Sequence, residues 1–184
     1  MAPRPAPEWR TTDWLNTPKP LSLEQLRGRV VLLHAFQMLC PGCVQGSLPQ
    51  AQRVAETFAG APLVVVGLHT VFEHHEAMQL ASLKAFVHEY RLRFPIGVDA
   101  PDPHGGPLPQ TMRAYAMQGT PTTLLIDAQG RLRRHIFGPH EDLVLGAEIQ
   151  TLLLEARASG SELPRPAPVA AGCDERGCAL PASE

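Results

Sequence analysis

The stretch Val30–Val44, with the sequence VVLLHAFQMLCPGCV, limits what this chain can fold into more than any other. Its first half is an apolar, β-branched-rich run with no charge inside it, the pattern of a strand buried on both faces. It ends in Cys40-Pro41-Gly42-Cys43, and beyond that Leu48, Ala51, Val54, Ala55 and Phe58 recur at helical spacing. A Cys-x-x-Cys where a strand hands over to a helix suits redox chemistry. Amide groups of the first helical turn point at the first sulfur, and the helix dipole favours negative charge there. The thiolate is the nucleophile of disulfide exchange. Cys40 is therefore expected to attack and to be the more exposed of the pair, with Cys43 one turn on as the resolving thiol. Pro41 and Gly42 set the turn between them. The same spacing also suits half of a zinc knuckle, so the tetrapeptide by itself leaves a metal site open.

Composition narrows the setting. A chain of 184 residues has room for one domain with extra segments and a sizeable core. A net charge of −2 argues against nucleic acid and against an anionic membrane surface as partner. No apolar run approaches the length of a membrane span. The amino-terminal residues contain no apolar h-region, so a cytoplasmic address is expected. In that compartment thiols are mostly kept reduced. Four cysteines in two close pairs then point to catalysis or metal rather than to static cross-links.

Taken in order, residues 1–8 are Pro-rich and aperiodic, and a mobile arm is expected there. The ordered domain is expected over 9–158. Ser22 to Leu26 reads as one helical turn with Ser22 as its cap, and the strand Val30–Phe36 follows. Pro49 should kink the helix after Cys43, because it cannot donate a hydrogen bond. Leu63–Leu68 is a second buried strand, and His69 begins an insertion before the amphipathic helix marked by Leu80, Leu83, Phe86, Val87 and Tyr90. A short strand ending at Asp99, a Pro- and Gly-rich loop over 100–109 and a brief helix at Thr111–Met117 come next. Two strands, Thr122–Asp127 and Leu132–Phe137, flank a hairpin turn, and a helix over Glu141–Arg157 closes the domain. This β-α-β-α-β-α-β-β-α order predicts an α/β fold, a central mixed sheet with helices on both faces. From 159 to 184 the composition is that of a flexible tail, carrying a second pair, Cys173 and Cys178.

These features resemble a known group. The Cys-x-x-Cys after a buried strand, the Gly119-Thr120-Pro121 that heads another apolar strand, and the segments Trp14–Asn16, Ser22–Leu33 and Thr120–Gly130 together resemble the thioredoxin superfamily, most closely its TlpA-like and ResA-like thiol-disulfide oxidoreductases. The resemblance implies a thioredoxin-like fold and no organic cofactor. It also implies a disulfide-bearing protein or small molecule as substrate and a thioredoxin- or glutathione-type thiol as electron donor. It implies further that Pro121 follows a cis bond and that Thr120 presents its backbone to the substrate. Where those relatives carry Asp or Asn beneath the cysteines, this chain has His34, either a satisfied core residue or a proton acceptor for Cys43. Ser47 stands where ResA-like proteins have an acid, and Leu39 replaces the usual Trp before the first cysteine, so a less aromatic rim is expected.

Rival readings remain. Peroxiredoxins share the fold, but they place a Thr three residues before the reactive cysteine and a Pro seven before it, where this chain has Gln37 and Leu33. Cys40, Cys43, Cys173 and Cys178 could together hold zinc in a binding module. His69, His74 and His75 suggest a metal cluster at first sight, though loop histidines beside Glu73 and Glu76 read better as surface residues. The tail pair is either incidental or a tethered second redox pair that exchanges with Cys40 and Cys43.

Overall fold

The computed structural model describes residues 4–158 in full and, beyond them, the backbone of two short strands over 172–174 and 177–179. The elements run β1 (Arg4–Pro5), β2 (Thr11–Leu15), β3 (Val30–Phe36), a π turn (Cys43–Ser47), α1 (Leu48–Thr57), β4 (Leu63–His69), α2 (Leu80–Glu89), β5 (Ile96–Asp99), α3 (Gln110–Ala114), β6 (Thr122–Ile126), β7 (Arg131–Phe137) and α4 (Asp142–Ala158). The strands β8 (Gly172–Asp174) and β9 (Gly177–Ala179) pair with each other.

Among the described residues, seven strands form one mixed sheet in the order β1-β7-β6-β3-β4-β5-β2. β3 lies at its centre, parallel to β4 and antiparallel to β6. Paired along both sides and covered on both faces, it buries every residue, which its apolar side chains favour and which leaves His34 as the one polar side chain enclosed in it. Side chains alternate across it. Val30, Leu32 and Phe36 join Leu48 and Ala51 of α1, Leu83 of α2 and Leu145 and Ile149 of α4 on one face. Val31, Leu33 and Ala35 join Met112 of α3 and Tyr115 just after it, with Leu23, Leu26 and Trp9, on the other. The α/β architecture with helices on both faces is the one expected.

Three local outcomes differ from, or refine, the expectations. Pro49 does not bend a finished helix. Its missing N–H falls at the start of α1, and the turn before it widens to a π turn closed by Leu48 N donating to Cys43 O. The arm expected over residues 1–8 is anchored from Arg4 onward. Arg4 and Pro5 pair with β7 and form the edge strand of the sheet, where a proline's missing donor is tolerated. Ala6 N donates to Gly130 O, Tyr115 Oη donates to Pro7 O at 2.6 Å, and the Glu8 carboxylate accepts from Leu23 N and Glu24 N. The third outcome is β2, which pairs antiparallel with β5 and went unpredicted because it is short and half polar. The single turn after Ser22 is present, with Ser22 Oγ accepting from Gln25 N.

Candidate active site

The helical run after β3 starts at Pro41, which makes Cys40 the residue before the first turn. Proline suits that first position, since its absent N–H has no partner to lose there. Cys43 N and Val44 N donate to Cys40 O, and Cys43 N also lies 3.3 Å from Cys40 Sγ. The sulfur thus occupies the place that a serine or aspartate oxygen takes at a helix N-terminus, where negative charge is favoured. Cys43 Sγ lies 2.6 Å from Cys40 Sγ and donates to it. Both thiols are free; Cys40 is half-buried and Cys43 is fully buried. Burial, reinforced by the Cys40 contact, pushes the Cys43 thiol up to about 12, so the proton of the pair belongs on Cys43.

The loop before β6 faces this pair. Thr120 O lies 3.5 Å from Cys40 Sγ, and the Thr120–Pro121 bond is cis. Gly42 brings the turn against the Pro121 ring, close enough that an added Cβ would sit 3.4 Å from Pro121 Cδ. Cys40, Cys43, Gly42, Thr120 and Pro121, far apart in sequence, therefore meet at one place, and Pro41 starts the helix there.

His34 lies in the middle of β3 on the face that carries the α1 cluster and Cys43, by the alternation described above. It pairs in register with Thr123, and its Nδ1 is 3.0 Å from Thr123 Oγ1. Its Nε2 is buried without a hydrogen-bond partner. Burial, with the charge of His140 adding to it, lowers His34 to about 4, so the ring is neutral at neutral pH. A cavity of about 120 Å³ is lined by its partner Thr123, with Gly46, Ser47, Gln50, Pro121 and His140 among others. Ser47 donates its hydroxyl to Cys43 O and so offers no acid in place of the missing one. Thr123 and His140 were not singled out in the sequence. The one available signal for Thr123 was its hydroxyl, in a strand of two threonines followed by Leu and Ile.

Around Cys40 the surface is apolar. Leu39 is 58% exposed and Phe137 54% exposed. Phe137 packs at Gly119, so the rim keeps an aromatic side chain that comes from β7 rather than from beside the cysteine. Gln37, the residue a peroxidase would need as threonine, is turned to other work. It donates to Glu73 Oε1 at 3.1 Å and accepts from Phe72 N at 3.2 Å, tying the insertion to the Cys40 loop.

His69, His74 and His75 do not converge on a metal. His69 is buried at the end of β4 and the other two are exposed. No group of three or more His, Cys, Asp or Glu able to hold a metal occurs among the described residues. The side chains of Cys173 and Cys178 lie outside the described residues. Their backbones face each other across β8 and β9. No helix among the described residues is long and apolar enough to cross a membrane.

Comparison with known proteins places the chain in a family. Residues 3–135 match the AhpC/TSA family. The chain is 31% identical over 157 residues to the protein DipZ of Mycobacterium tuberculosis, covering 84% of this chain but only 21% of DipZ. It is 25% identical over 162 residues to the thiol:disulfide interchange protein DsbE of Allochromatium vinosum, covering 88% of this chain and 80% of that one. Among solved structures, a thioredoxin-like superfamily protein is 53% identical with a TM-score of 0.80, over 88% of this chain and 99% of its own. A thiol-disulfide isomerase from Corynebacterium glutamicum is 43% identical with a TM-score of 0.76, over 80% of this chain and 96% of its own. The chain belongs to the AhpC/TSA family, as one of its thioredoxin-like thiol-disulfide oxidoreductases.

Proposed function

We propose that this enzyme exchanges disulfides through Cys40 and Cys43, with Cys40 attacking and Cys43 resolving. The Cys40 thiolate attacks one sulfur of a substrate disulfide, the substrate S–S bond breaks, and the departing thiolate takes a proton from solvent. Cys43 then attacks the Cys40 sulfur of the mixed disulfide, releasing the second substrate thiol and leaving a Cys40–Cys43 disulfide. Two electrons pass from the enzyme dithiol to the substrate, and an external thiol donor of thioredoxin or glutathione type restores the dithiol. The observation that carries this reading is the double approach of Cys43 to Cys40 Sγ, by its N–H at 3.3 Å and by its thiol at 2.6 Å.

Further parts of the reading follow from the same site. The backbone of Thr120 and the Leu39–Phe137 rim receive an extended, cysteine-bearing segment of a protein substrate, and the openness of Cys40 also admits small disulfides. His34 assists Cys43 by accepting its proton as that sulfur attacks. The enzyme works in the cytoplasm. Cys173 and Cys178 form a tethered second pair that relays electrons to Cys40–Cys43. Supporting the relay, directly opposed residues of an antiparallel pair have Cα atoms about 4.5–5.5 Å apart, within the range a disulfide spans.

Insulin-disulfide reduction tests the reading, comparing the native chain with Cys40→Ser and Cys43→Ser. Activity should be abolished by the first and should stall at a mixed disulfide in the second. No reduction with any thiol donor, together with turnover of hydroperoxide, would instead make the protein a peroxidase. For the relay, changing Cys173 and Cys178 both to Ser should spare turnover with a chemical dithiol and abolish it with the physiological donor. Alkylation trapping of the four thiols in intact cells, after fractionation, reads both the address and the redox state.

A further inference from the structure

We propose that the cleft at the C-terminal ends of β4 and β5 binds a small carboxylate with an apolar body. The cleft measures about 350 Å³, and its walls include His69, Met78, Gln79, Leu80, Val98 and Pro107. It lies at the carboxyl end of the parallel strands, where open α/β sheets place their ligands. Two independent features give it a polar pole. One is the start of α2, a ten-residue helix whose N-cap, Gln79, makes no side-chain capping bond and whose first turn holds no acid. Its leading amides are free to meet an anion, and the helix dipole adds to the attraction. The other is His69, which is 1% exposed, lines the cleft, and has Nε2 without any hydrogen-bond partner.

Two carboxylates also line the cleft, and both are already engaged. Asp99 accepts from Thr70 Oγ1, Thr111 N and Met112 N, so its charge is directed into the start of α3. Asp102 pairs with Arg113 at 2.8 Å and accepts from His104 N and Gly106 N. His75 lines the cleft as well. The leading amides of α2 can only donate, so the ligand must bring an acceptor to that end. Val71, Met78, Leu80 and Val98 would cover an apolar body, a chain or ring of a few carbons. Neutral His69, which burial holds at about 4, supplies a hydrogen bond and no charge, so the attraction rests on the helix end.

The cleft is coupled in structure to the redox centre. His69 stands opposite Phe36 in the β3–β4 register and packs on its ring, and Gln37, the next residue, holds the insertion that forms one wall. The carboxylate could therefore belong to a free acid or to one end of the disulfide substrate. Only the second of these rests on the redox reading.

Benzoate is the probe. Titrated into the native, reduced chain, it should shift the amide resonances of Leu80, Ala81 and Ser82 saturably. Gln79→Asp places a carboxylate of the chain's own at the N-cap, which stabilises a helix start, and should weaken benzoate at least about tenfold while thermal unfolding stays intact. His69→Phe, which removes the second polar partner, should weaken it as well. No saturable shift, or equal affinity in Gln79→Asp, overturns the proposal. These readouts are binding, so they stand apart from any failure of turnover. A kinetic arm separates the two sources. If benzoate competes with 5,5′-dithiobis(2-nitrobenzoate) but not with uncharged 4,4′-dithiodipyridine, the carboxylate is the substrate's. If it affects neither while still binding, the ligand is a free acid.

Discussion

Replacing His34 by Asn should slow resolution of the mixed disulfide far more than its formation. The proton on Cys43 must leave before or during attack, and burial holds that thiol above the ordinary cysteine range, so little of it is ionised at pH 7. His34 does not take that proton outright. With the ring lowered to about 4, below neutral pH, complete prior transfer to it costs more than ionisation into water at pH 7. The transfer has to be concerted with S–S cleavage, as negative charge passes from Cys43 to the departing thiol. General-base assistance is worth roughly 10²–10⁴-fold, and a weak base belongs at the low end, so a loss of about 100-fold is expected. Asn keeps a partner for Thr123 Oγ1, so the packing is largely preserved. The assay is a single-turnover stopped-flow reaction with a mixed disulfide whose two halves carry different chromophores, which reads formation and resolution separately. Above about pH 5 His34 is already neutral, so native resolution should be flat between pH 6 and pH 8, while the Asn variant should gain about tenfold per pH unit. Equal slowing of both steps, no slowing, or a native profile that climbs with pH would return His34 to the role of a packed core residue.

Three further outcomes are expected. His34 and His69 are both lowered to about 4 by burial while an unfolded histidine titrates near 6.5, so their contribution is complete above 6.5 and is lost as pH falls from there through 4. Each is worth on the order of 3 kcal/mol in full, of which about 2 kcal/mol is lost between pH 7 and pH 5, so urea midpoints at those two pH values should differ by that much per histidine, with about half of the drop removed by His69→Gln. Gly67→Ala should destabilise by about 1–3 kcal/mol in the same assay, because the added methyl meets Ile96, Phe94 and Phe36 at 3.1–3.2 Å in a closed core. Leu39→Ser together with Phe137→Ser should raise KM for reduced-insulin formation several-fold and leave the rate with a small aromatic disulfide nearly unchanged; equal effects on both substrates would remove the rim from protein recognition.

What could be read from the sequence was what long, uniform patterns encode. β3 was predicted with its observed bounds because seven successive residues must all tolerate burial, and α2 because its apolar positions hold a helical period. Cys40 and Cys43 were legible from their own spacing at the end of a buried strand, whereas Thr120 and Pro121 were joined to them through a family resemblance, since 80 residues separate the sulfur from the Thr120 carbonyl. The rest depended on tertiary placement. Nothing in Thr-Thr-Asp-Trp-Leu announces a strand until β5 offers its edge, and Pro-rich Arg4–Glu8 looks unattached until Gly130, Tyr115 and the Ser22 turn supply partners. Phe137 belongs to a strand whose first four residues include three arginines, so its place beside Gly119 was invisible. The π turn shows the same limit: Pro49 announced a disturbance, but whether a helix bends or widens depends on what surrounds it.

The amino-terminal segment has a consequence for how the molecule is made. Within a dozen residues it closes both borders of the sheet, β1 against β7 on one side and β2 against β5 on the other. Its two docking partners are synthesised long after it, Asp99 opposite Thr11 and Leu132 opposite Arg4. A ribosome adding about 5–20 residues per second therefore leaves this strap without its second border for several seconds while β3, β4 and β5 are already available to assemble. During that interval the nascent sheet carries open edges, the surfaces on which strands of neighbouring chains can pair. The segment works as a late-closing clasp, and a nascent chain captured before residue 130 should bind chaperones and exchange strands with its neighbours in a way the finished chain does not.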